Sequence, residues 1–493
     1  MGEFHKTSWV GIAMRHARAA DIVEMIAPDG PGSPRDRLSA GLRAAILSGR
    51  MRPGDAVPSS RAVASAVGVT RGTVVRVYDE LSGEGYLDTV HGSGTFVSTS
   101  VPMRELHARN DPGERTASAD KATPTTDPSS PPIELRPGIP STASITRGDW
   151  AAAWRRATAG EVASVYPPAA GLPALREQIA RHLFHSRGLA CDPDEVIVTS
   201  GAREGLALVA LGLAAQHGRL LRVGCENPGH VGSRAVLARL GAELVPIDVV
   251  DGGVDFDAVQ SARLTALLVT PSHQYPLGGS LDVGRRLQLL EWAARTGSII
   301  IEDDYDSEFR HAGRALPSIA SLDDSGLVVH VGSYSKVITP WLRCGYVVAR
   351  DPAVRAAILD ARADVGETVS GIPQQALAHY LDSGGLSRHL ARTRRAYAHK
   401  RSLVVDALDG DVGSSLVLSA LDGGLHAVLS SPAGTGNADL AERLSRRGVA
   451  VTELARHYFG QTAADREGIV FGYGAATDLD LQSALVAIRR EIV

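Results

Sequence analysis

Residues 327–346 read LVVHVGSYSKVITPWLRCGY. Leu327 to Val331 is a short, mostly apolar run with the make-up of a buried strand. Small hydroxylated residues follow at its carboxyl end, the edge at which open α/β sheets bind ligands. Lys336 is one of four lysines (Lys6, Lys121, Lys336, Lys400) in a chain whose lysines and arginines total 51. A chain that uses arginine almost everywhere keeps an amine here. An amine can shed its proton and form a Schiff base, and a guanidinium cannot. A solvated surface lysine is the competing reading. Ser333, Ser335 and Arg343 argue against it, because hydroxyls, backbone N–H groups and one guanidinium are what a phosphate needs. Pyridoxal 5′-phosphate, an aldehyde carrying a phosphate, meets both demands.

Composition sets the frame. At 493 residues the chain is too long for one ordinary domain, and two or three are expected. A formal net charge of −4 excludes a polycation, and 44% apolar content supports large cores. Cys191, Cys225 and Cys344 are odd in number and widely spaced, which fits neither a disulfide framework nor a zinc site and suits a reducing cytoplasm. There is no run of about 18 consecutive apolar residues, so no membrane span is expected, and the N-terminus lacks the apolar stretch of a signal peptide.

Outward from the central stretch, residues 134–370 alternate strand-like and helix-like runs, the pattern of a mostly parallel sheet covered by helices. Val196–Thr199 leads into Ser200-Gly201-Ala202 and a helix, whose N-terminus offers N–H groups to a phosphate. Ile299-Ile300-Ile301 precedes Glu302-Asp303-Asp304-Tyr305-Asp306. Carboxylates at the end of a buried strand are costly unless one meets a cation. Asp303 is assigned to the pyridine nitrogen of the cofactor, which it keeps protonated, and Tyr305 to the ring's phenolic oxygen. Capping or metal binding would also explain an acidic cluster, but no His or Cys spacing for a metal accompanies it, and no metal is expected. Residues 371–493 form a smaller region of helices, short strands and a final helix. The run from Arg388 to Arg401 reads as a solvated helix face.

Before the large region lie a leader (1–32), a small module (33–101) and a tether (102–133) rich in Ser, Thr and Pro. In the module, Leu38, Leu42, Ala45 and Ile46 recur at helical spacing. Pro58-Ser59-Ser60 opens a second helix, with Ser59 or Ser60 as its cap. Gly68-Val69 turns, and Thr70 caps a third. Two β-prone runs around His91-Gly92-Ser93-Gly94 suggest a hairpin wing. Together these make a winged helix-turn-helix. Ser60, Arg61, Thr70, Arg71, Thr73 and Arg76 lie where a recognition helix and its partner meet duplex DNA, and His91 and Gly92 where a wing tip does. Eight arginines against six acids leave Arg35–Val97 at +2, a modest basicity. A protein-contact domain is the competing reading.

Two resemblances follow. Pro58-Ser59-Ser60-Arg61, Gly68-Val69-Thr70-Arg71-x-Thr73-Val74, Tyr78-x-x-Leu81-x-x-x-Gly85-Tyr86-Leu87 and Gly92-Ser93-Gly94-Thr95-Phe96-Val97 resemble a GntR-type winged helix. Further on, Tyr166-Pro167, Gly171-Leu172-x-x-Leu175-Arg176, Thr199-Ser200-Gly201-Ala202, Asn227-Pro228-Gly229, Thr270-Pro271-Ser272-His273-Gln274-x-Pro276, Glu302-Asp303-Asp304-Tyr305-Asp306-Ser307-Glu308-Phe309 and Ser333-x-Ser335-Lys336 with Arg343-x-Gly345-Tyr346 resemble a fold-type I aminotransferase. The TPSHQ and EDDYDSEF strings are similar to those of MocR-type regulators, in which both parts are fused in this order.

The resemblance implies an α/β protein: an N-terminal winged helix-turn-helix, then a pyridoxal phosphate-dependent transferase fold with large and small domains. It implies Lys336 as the Schiff-base lysine, Asp303 and Tyr305 on the ring, and Ser200, Gly201, Ala202, Ser333, Ser335 and Arg343 around the phosphate. His230 and His273 join the cofactor set through the same motifs. It also implies a homodimeric, cytoplasmic regulator that binds operator DNA and senses the cofactor or a small amine or amino acid. A working aminotransferase with an accessory N-terminal module is the alternative. Three residues depart from the pattern: His230 where an aromatic ring-stacker is usual, Arg203 where Gln is common, and Tyr275 where active aminotransferases carry Asn. The arginine expected to hold a substrate carboxylate is missing before Ile469-Val470-Phe471. Arg456 or Arg466 could replace it, and either also reads as a solvated surface residue.

Overall fold

The computed structural model describes residues 34–83, 86–90, 94–98, 132–160, 162–218, 220–311, 317–366, 369–408, 416–460 and 466–492. The leader, all but the last two residues of the tether, and His91 and Gly92 lie outside the described residues. The chain divides into two compact units, one carrying the N-terminal module and the other nearly all of the rest.

The module has helices Pro34–Leu47, Ser60–Val67 and Arg71–Gly83, with strands β1 (Ala56–Val57), β2 (Leu87–Val90) and β3 (Gly94–Val97). Pro34 opens the first helix, where its missing N–H is not needed. Ser59 caps the second, its Oγ accepting from the Ala62 N–H at 3.3 Å, and Gly68 ends it in the left-handed region at φ 74°. Thr70 Oγ1 accepts from the Thr73 N–H at 3.2 Å at the start of the third helix. The Tyr78 hydroxyl donates to the Pro58 carbonyl at 2.7 Å and ties the third helix to the entry of the second. Leu38, Leu42, Ile46, Val63, Val74, Val77 and Leu81 share one core with Leu87 and Val97 of the hairpin. The sheet order is β1-β3-β2, antiparallel throughout. The two-residue β1 is too short to show a periodicity in the sequence.

In the second unit, β4 (Ile133–Glu134) precedes an eight-stranded sheet made from β5 (Val196–Thr199), β6 (Arg222–Asn227), β7 (Glu243–Val250), β8 (Gly253–Val254), β9 (Ala266–Val269), β10 (Ile299–Asp304), β11 (Val328–Ser333) and β12 (Gly345–Ala349). Their order is β5-β12-β11-β10-β9-β6-β7-β8. The centre, from β7 through β6, β9 and β10 to β11, is parallel. β12 runs antiparallel between β11 and β5. Ile197, Val223, Leu268, Ile301, Val331 and Val347 pack in one core with Leu206, Val209 and Leu213 of the helix Ala202–His217. Cover of this kind is what lets a parallel sheet be apolar along whole strands.

β10 does not stop at Ile301 but runs on through Glu302, Asp303 and Asp304. Partners offset the cost of burying these carboxylates. Glu302 accepts from the Ile319 and Ala320 N–H groups at 2.9 and 3.0 Å and pairs with His330 at 3.2 Å. Asp304 accepts from Arg187 Nε at 2.6 Å.

The second sheet orders β13 (Val417–Ser419), β14 (His426–Pro432), β17 (Arg466–Gly472) and β16 (Thr452–Glu453), while β15 (Val449–Ala450) pairs with β4. The run Arg388–Arg401 falls on the helix Gly385–Leu408 and is anchored rather than simply solvated. Arg394 binds the Glu308 carboxylate at 2.8 Å, Arg401 donates to the Leu421 carbonyl at 2.6 Å, and buried Lys400 donates to the Gly474 carbonyl at 3.0 Å. Long side chains reach partners distant in sequence, which helical periodicity does not reveal. Among the described residues no helix is long and apolar enough to cross a membrane.

Candidate functional site

The carboxyl ends of β5, β10 and β11 converge on a cavity of about 290 Å³ lined by Gly201, Ala202, Asp303, Tyr305, Ser333, Ser335, Lys336 and Arg343. The parallel centre delivers the strand ends to one edge, which is why residues more than a hundred positions apart meet there.

Ser200 and Gly201 follow β5, and Gly201 (φ 118°) precedes the helix Ala202–His217. Arg343 adopts left-handed backbone at φ 44° after a short 3-10 turn. This aims its guanidinium at Gly201, with Nη1 3.7 Å from the place a Cβ there would occupy. Gly345, two residues on, packs so tightly that a Cβ would lie 2.8 Å from both the Gly201 Cα and the Gly332 carbonyl oxygen. Ser333 Oγ accepts from the Ser335 N–H at 3.2 Å, closing a turn that presents both serines. A helix N-terminus, two hydroxyls and a guanidinium thus face one end of the cavity, a set suited to a phosphate.

Lys336 projects from the same loop, and its amine donates to the Gly138 carbonyl. Burial pushes its pKa below the usual lysine range. Arg203 adds to that shift, while Asp306 and Asp303 oppose it. Asp303, 9% exposed, has its pKa raised to about 7, first by burial and then by the neighbouring Asp304. Its Oδ1 is buried with no hydrogen-bond partner. A buried carboxylate oxygen without a partner is expensive unless a cation or donor completes it. The protonated ring nitrogen of pyridoxal phosphate is such a donor, so the residues present fit that cofactor.

His230 caps the helix Val231–Arg239, with Nδ1 3.2 Å from the Ser233 N–H. Burial lowers its pKa to about 4. His273 and Ser200 do not line the cavity. The Ser200 N–H instead donates to Glu204. His273 sits behind Tyr305, with its Nδ1 3.0 Å from the Tyr305 hydroxyl.

Sequence reasoning left Gly138, Thr270, Ser233, Pro340, Leu425 and His426 out of this set, and all six line the cavity. Gly138 contributes a carbonyl, which any residue type carries and no motif announces. Arg203 and Tyr275, noted as departures, line it as well. Tyr275 meets His230, His426, His457 and Tyr305 with ring centroids 5.1 to 5.7 Å apart. Arg456 is the exposed residue of the turn Leu454–His457 and lines a wide cleft that shares Arg203, His230 and Tyr275 with the cavity, whereas Arg466 opens β17 and lines neither.

In the N-terminal unit, Arg61, Thr70, Arg71 and Arg76 are exposed and Ser60 and Thr73 half-buried. Arg71 Nε donates to Ser60 Oγ at 3.4 Å across the helix pair, and Thr70 Oγ1 lies 2.9 Å from Thr73 Oγ1.

Residues 34–97 match the family described as bacterial regulatory proteins, gntR family, and residues 132–476 match aminotransferase class I and II. The chain is 40% identical over 471 residues to the HTH-type pyridoxine biosynthesis transcriptional regulator of Corynebacterium glutamicum, covering 95% of this chain and 98% of that one. It is 31% identical over 457 residues to the probable rhizopine catabolism regulatory protein MocR of Rhizobium meliloti, covering 91% of each. The chain belongs to the MocR-type regulators.

In this family a GntR winged helix binds DNA, and the aminotransferase-like body belongs to a pyridoxal phosphate-dependent fold. The fold-type I assignment is carried also by the structure of α-aminoadipate aminotransferase from Thermus thermophilus. That match has a TM-score of 0.65 and 25% identity, and covers 73% of this chain and 92% of that one.

Proposed function

We propose that this MocR-type chain is a DNA-binding transcription regulator that senses pyridoxal phosphate, or an amino compound presented to it, through a Schiff base at Lys336. The observation that carries this reading is the unpartnered Oδ1 of Asp303, buried in the cavity that also holds the Lys336 amine, with Arg343 and the two serines at the phosphate end. When bound, the cofactor supplies an aldehyde carbon for an amine and a ring that withdraws electrons from it.

The chain's own residues do the rest. Asp303 holds the proton on the ring nitrogen. Tyr305 hydrogen-bonds the phenolic oxygen. Gly201, Ala202, Ser333, Ser335 and Arg343 fix the phosphate. Lys336, its proton loosened by burial, offers a nucleophilic amine. With the cofactor held there, Lys336 would be the side chain that an incoming effector amine releases. The two liganded states then differ in contacts, which is what a shift in DNA affinity requires.

Homodimer formation fits the large apolar side chains left exposed on the body. Val162 is 97%, Tyr166 91% and Trp341 92% exposed. Ser60, Arg61, Thr70, Arg71, Thr73 and Arg76 form the operator-facing surface of this reading, and a DNA partner places the protein in the cytoplasm. The two relatives named above regulate pyridoxine biosynthesis and, for the probable MocR, rhizopine catabolism, which suits a small-molecule effector here.

A second reading, active transamination, is favoured by the intact, half-buried lysine. His230 and Tyr275 at positions that depart from active aminotransferases speak against efficient turnover. Reconstitution decides. The purified protein with pyridoxal phosphate should absorb near ~420 nm, Lys336→Ala should abolish that band, and operator affinity should change on loading. A colourless wild-type protein would end this reading. Steady turnover with a keto acid and no DNA affinity would favour the second.

A further inference from the structure

A buried pair stands behind Tyr305. His273 Nδ1 lies 2.8 Å from Asp306 Oδ2 and 3.0 Å from the Tyr305 hydroxyl. His273 is 4% and Asp306 2% exposed, so neither meets bulk water. The His273 and Tyr305 rings stack with centroids 6.1 Å apart, which holds the contact in register. Gly424, at φ 71°, roofs the pair, and a Cβ there would overlap the Asp306 carboxylate. The other ionisable groups facing the pair are Asp303 on β10, Glu226 on β6, Tyr275 and Lys336 beside the cavity, His426 on β14, His311 and Tyr473.

The hydrogen count is restrictive. A neutral imidazole carries one N–H. With the Asp306 carboxylate at hydrogen-bond distance, that hydrogen belongs on Nδ1. Nδ1 then has no lone pair with which to accept from Tyr305. The Tyr305 oxygen instead shares the Nδ1–H as an acceptor, and its own proton is left to the Asp306 carboxylate beside it or, once a more strongly accepting oxygen stands in the cavity, to that oxygen.

We propose that His273 and Asp306 form a positioning pair that turns the Tyr305 hydroxyl proton toward the ring oxygen of bound pyridoxal phosphate. This rests on the cofactor reading above and gives His273 a role through Tyr305 rather than by touching the cofactor. A hydrogen bond donated to a negative oxygen favours its charged form. Without that donor the ring oxygen becomes more basic and keeps the proton it shares with the Schiff-base nitrogen to higher pH.

His273, Asp306 and His426 also bring potential metal-ligating atoms within 4.8 Å of one another. His426 Nε2 is paired with the Pro276 carbonyl at 3.0 Å, and His273 Nδ1 is held as described. The His273–Asp306 hydrogen bond and the contact of the His273 and His426 rings, centroids 5.1 Å apart, account for the cluster.

The test is a pH titration of the visible absorbance of the full-length, cofactor-loaded protein. In His273→Leu and Asp306→Asn the apparent pKa of the band should rise by about one unit or more, and the dissociation constant for pyridoxal phosphate should rise about tenfold. His273→Asn, whose amide can place an N–H near the Nδ1 position, should return most of the shift. In a Tyr305→Phe background, His273→Leu should move the band no further. Treatment with a chelator should change nothing. An unmoved band in folded His273→Leu, with a wild-type thermal melt, overturns the proposal. So does a shift of equal size in the Tyr305→Phe background, or a shift reproduced by the chelator. A wild-type protein with no visible band would instead count against the cofactor reading itself.

Discussion

The amine of Lys336 donates to the carbonyl of Gly138, 198 positions earlier in the chain. A Cβ on Gly138 would lie 2.6 Å from that amine, and the residue's φ of 83° already disfavours a side chain. The segment before the first body helix therefore forms one wall of the cavity and fixes where the lysine rests. Gly138→Ala should displace the amine and strain the backbone by about 1–3 kcal/mol. A spectrophotometric titration should show pyridoxal phosphate binding weakened about tenfold or more, with a lowered melting temperature. Wild-type affinity in this variant would remove Gly138 from the site.

Asp303 carries an opposition between stability and function. Its pKa, raised to about 7 from an ordinary 3.8, means that the folded cofactor-free protein holds a proton the unfolded chain has released. Between those two values the folded state binds more protons, so stability falls as pH rises through the window. Asp303→Asn removes that penalty. At pH 8 the cofactor-free variant should be more stable than wild type by an amount on the order of 2–4 kcal/mol, seen as a higher denaturant midpoint, while its affinity for pyridoxal phosphate drops. A variant that is destabilised at pH 8 would contradict the unpaired, buried setting of this carboxylate.

The same carboxylates show what could be read from the chain and what could not. Ile299–Ile301 announced a buried strand, and the cost of burying Asp303 pointed to a cation, because both follow from local composition and burial. The partners of Glu302 and Asp304 did not. Arg187 comes from a helix about 120 positions earlier, and nothing near either residue encodes that meeting. β12 carries no signal of its own place in the sheet for a related reason. An antiparallel strand inserted between β5 and β11 looks like any short apolar run, and its neighbours are chosen by tertiary packing. Motif residues with side chains at strand ends (Lys336, Asp303, Tyr305, Arg343) were legible. Wall residues such as Gly138 and His426 were not.

Glu308 sets an acid limit. Burial alone would raise its pKa, but Arg187, His182 and Arg394 outweigh that and hold it at about 2. A carboxyl with a depressed folded pKa contributes stability that is complete above the usual 4.5 and lost as pH falls toward about 2. Glu308→Gln should cost about 3–5 kcal/mol near neutral pH, the penalty of breaking a buried pair, and should flatten the stability curve between those two pH values. Denaturant titrations from pH 2 to pH 7 measure it. A mutant curve parallel to the wild-type curve would mean that another group governs the acid limit.

Arg71 and Arg61 are two of the three arginines on the proposed operator-facing surface, and Arg71 is the better braced. It opens the third helix of the N-terminal unit, exposed, with Nε 3.4 Å from Ser60 Oγ on the preceding helix. That brace limits the rotamers of a long side chain, so less entropy is lost when it docks on a base edge. Among the described residues Arg61 has no such brace, and it sits one residue inside the second helix, where a side chain of a DNA-bound helix-turn-helix would meet backbone phosphate. The two should therefore fail differently. Arg71→Ala should weaken operator binding by about 1–3 kcal/mol and relax the sequence preference at one position. Arg61→Ala should weaken binding to operator and unrelated duplex alike and lower the slope of log affinity against log salt by about one. Both residues are on the surface, so melting temperatures should stay at the wild-type value. Fluorescence anisotropy with operator and scrambled duplexes at several salt concentrations separates the two patterns. Equal losses on both duplexes for Arg71→Ala would reassign it to the phosphate backbone.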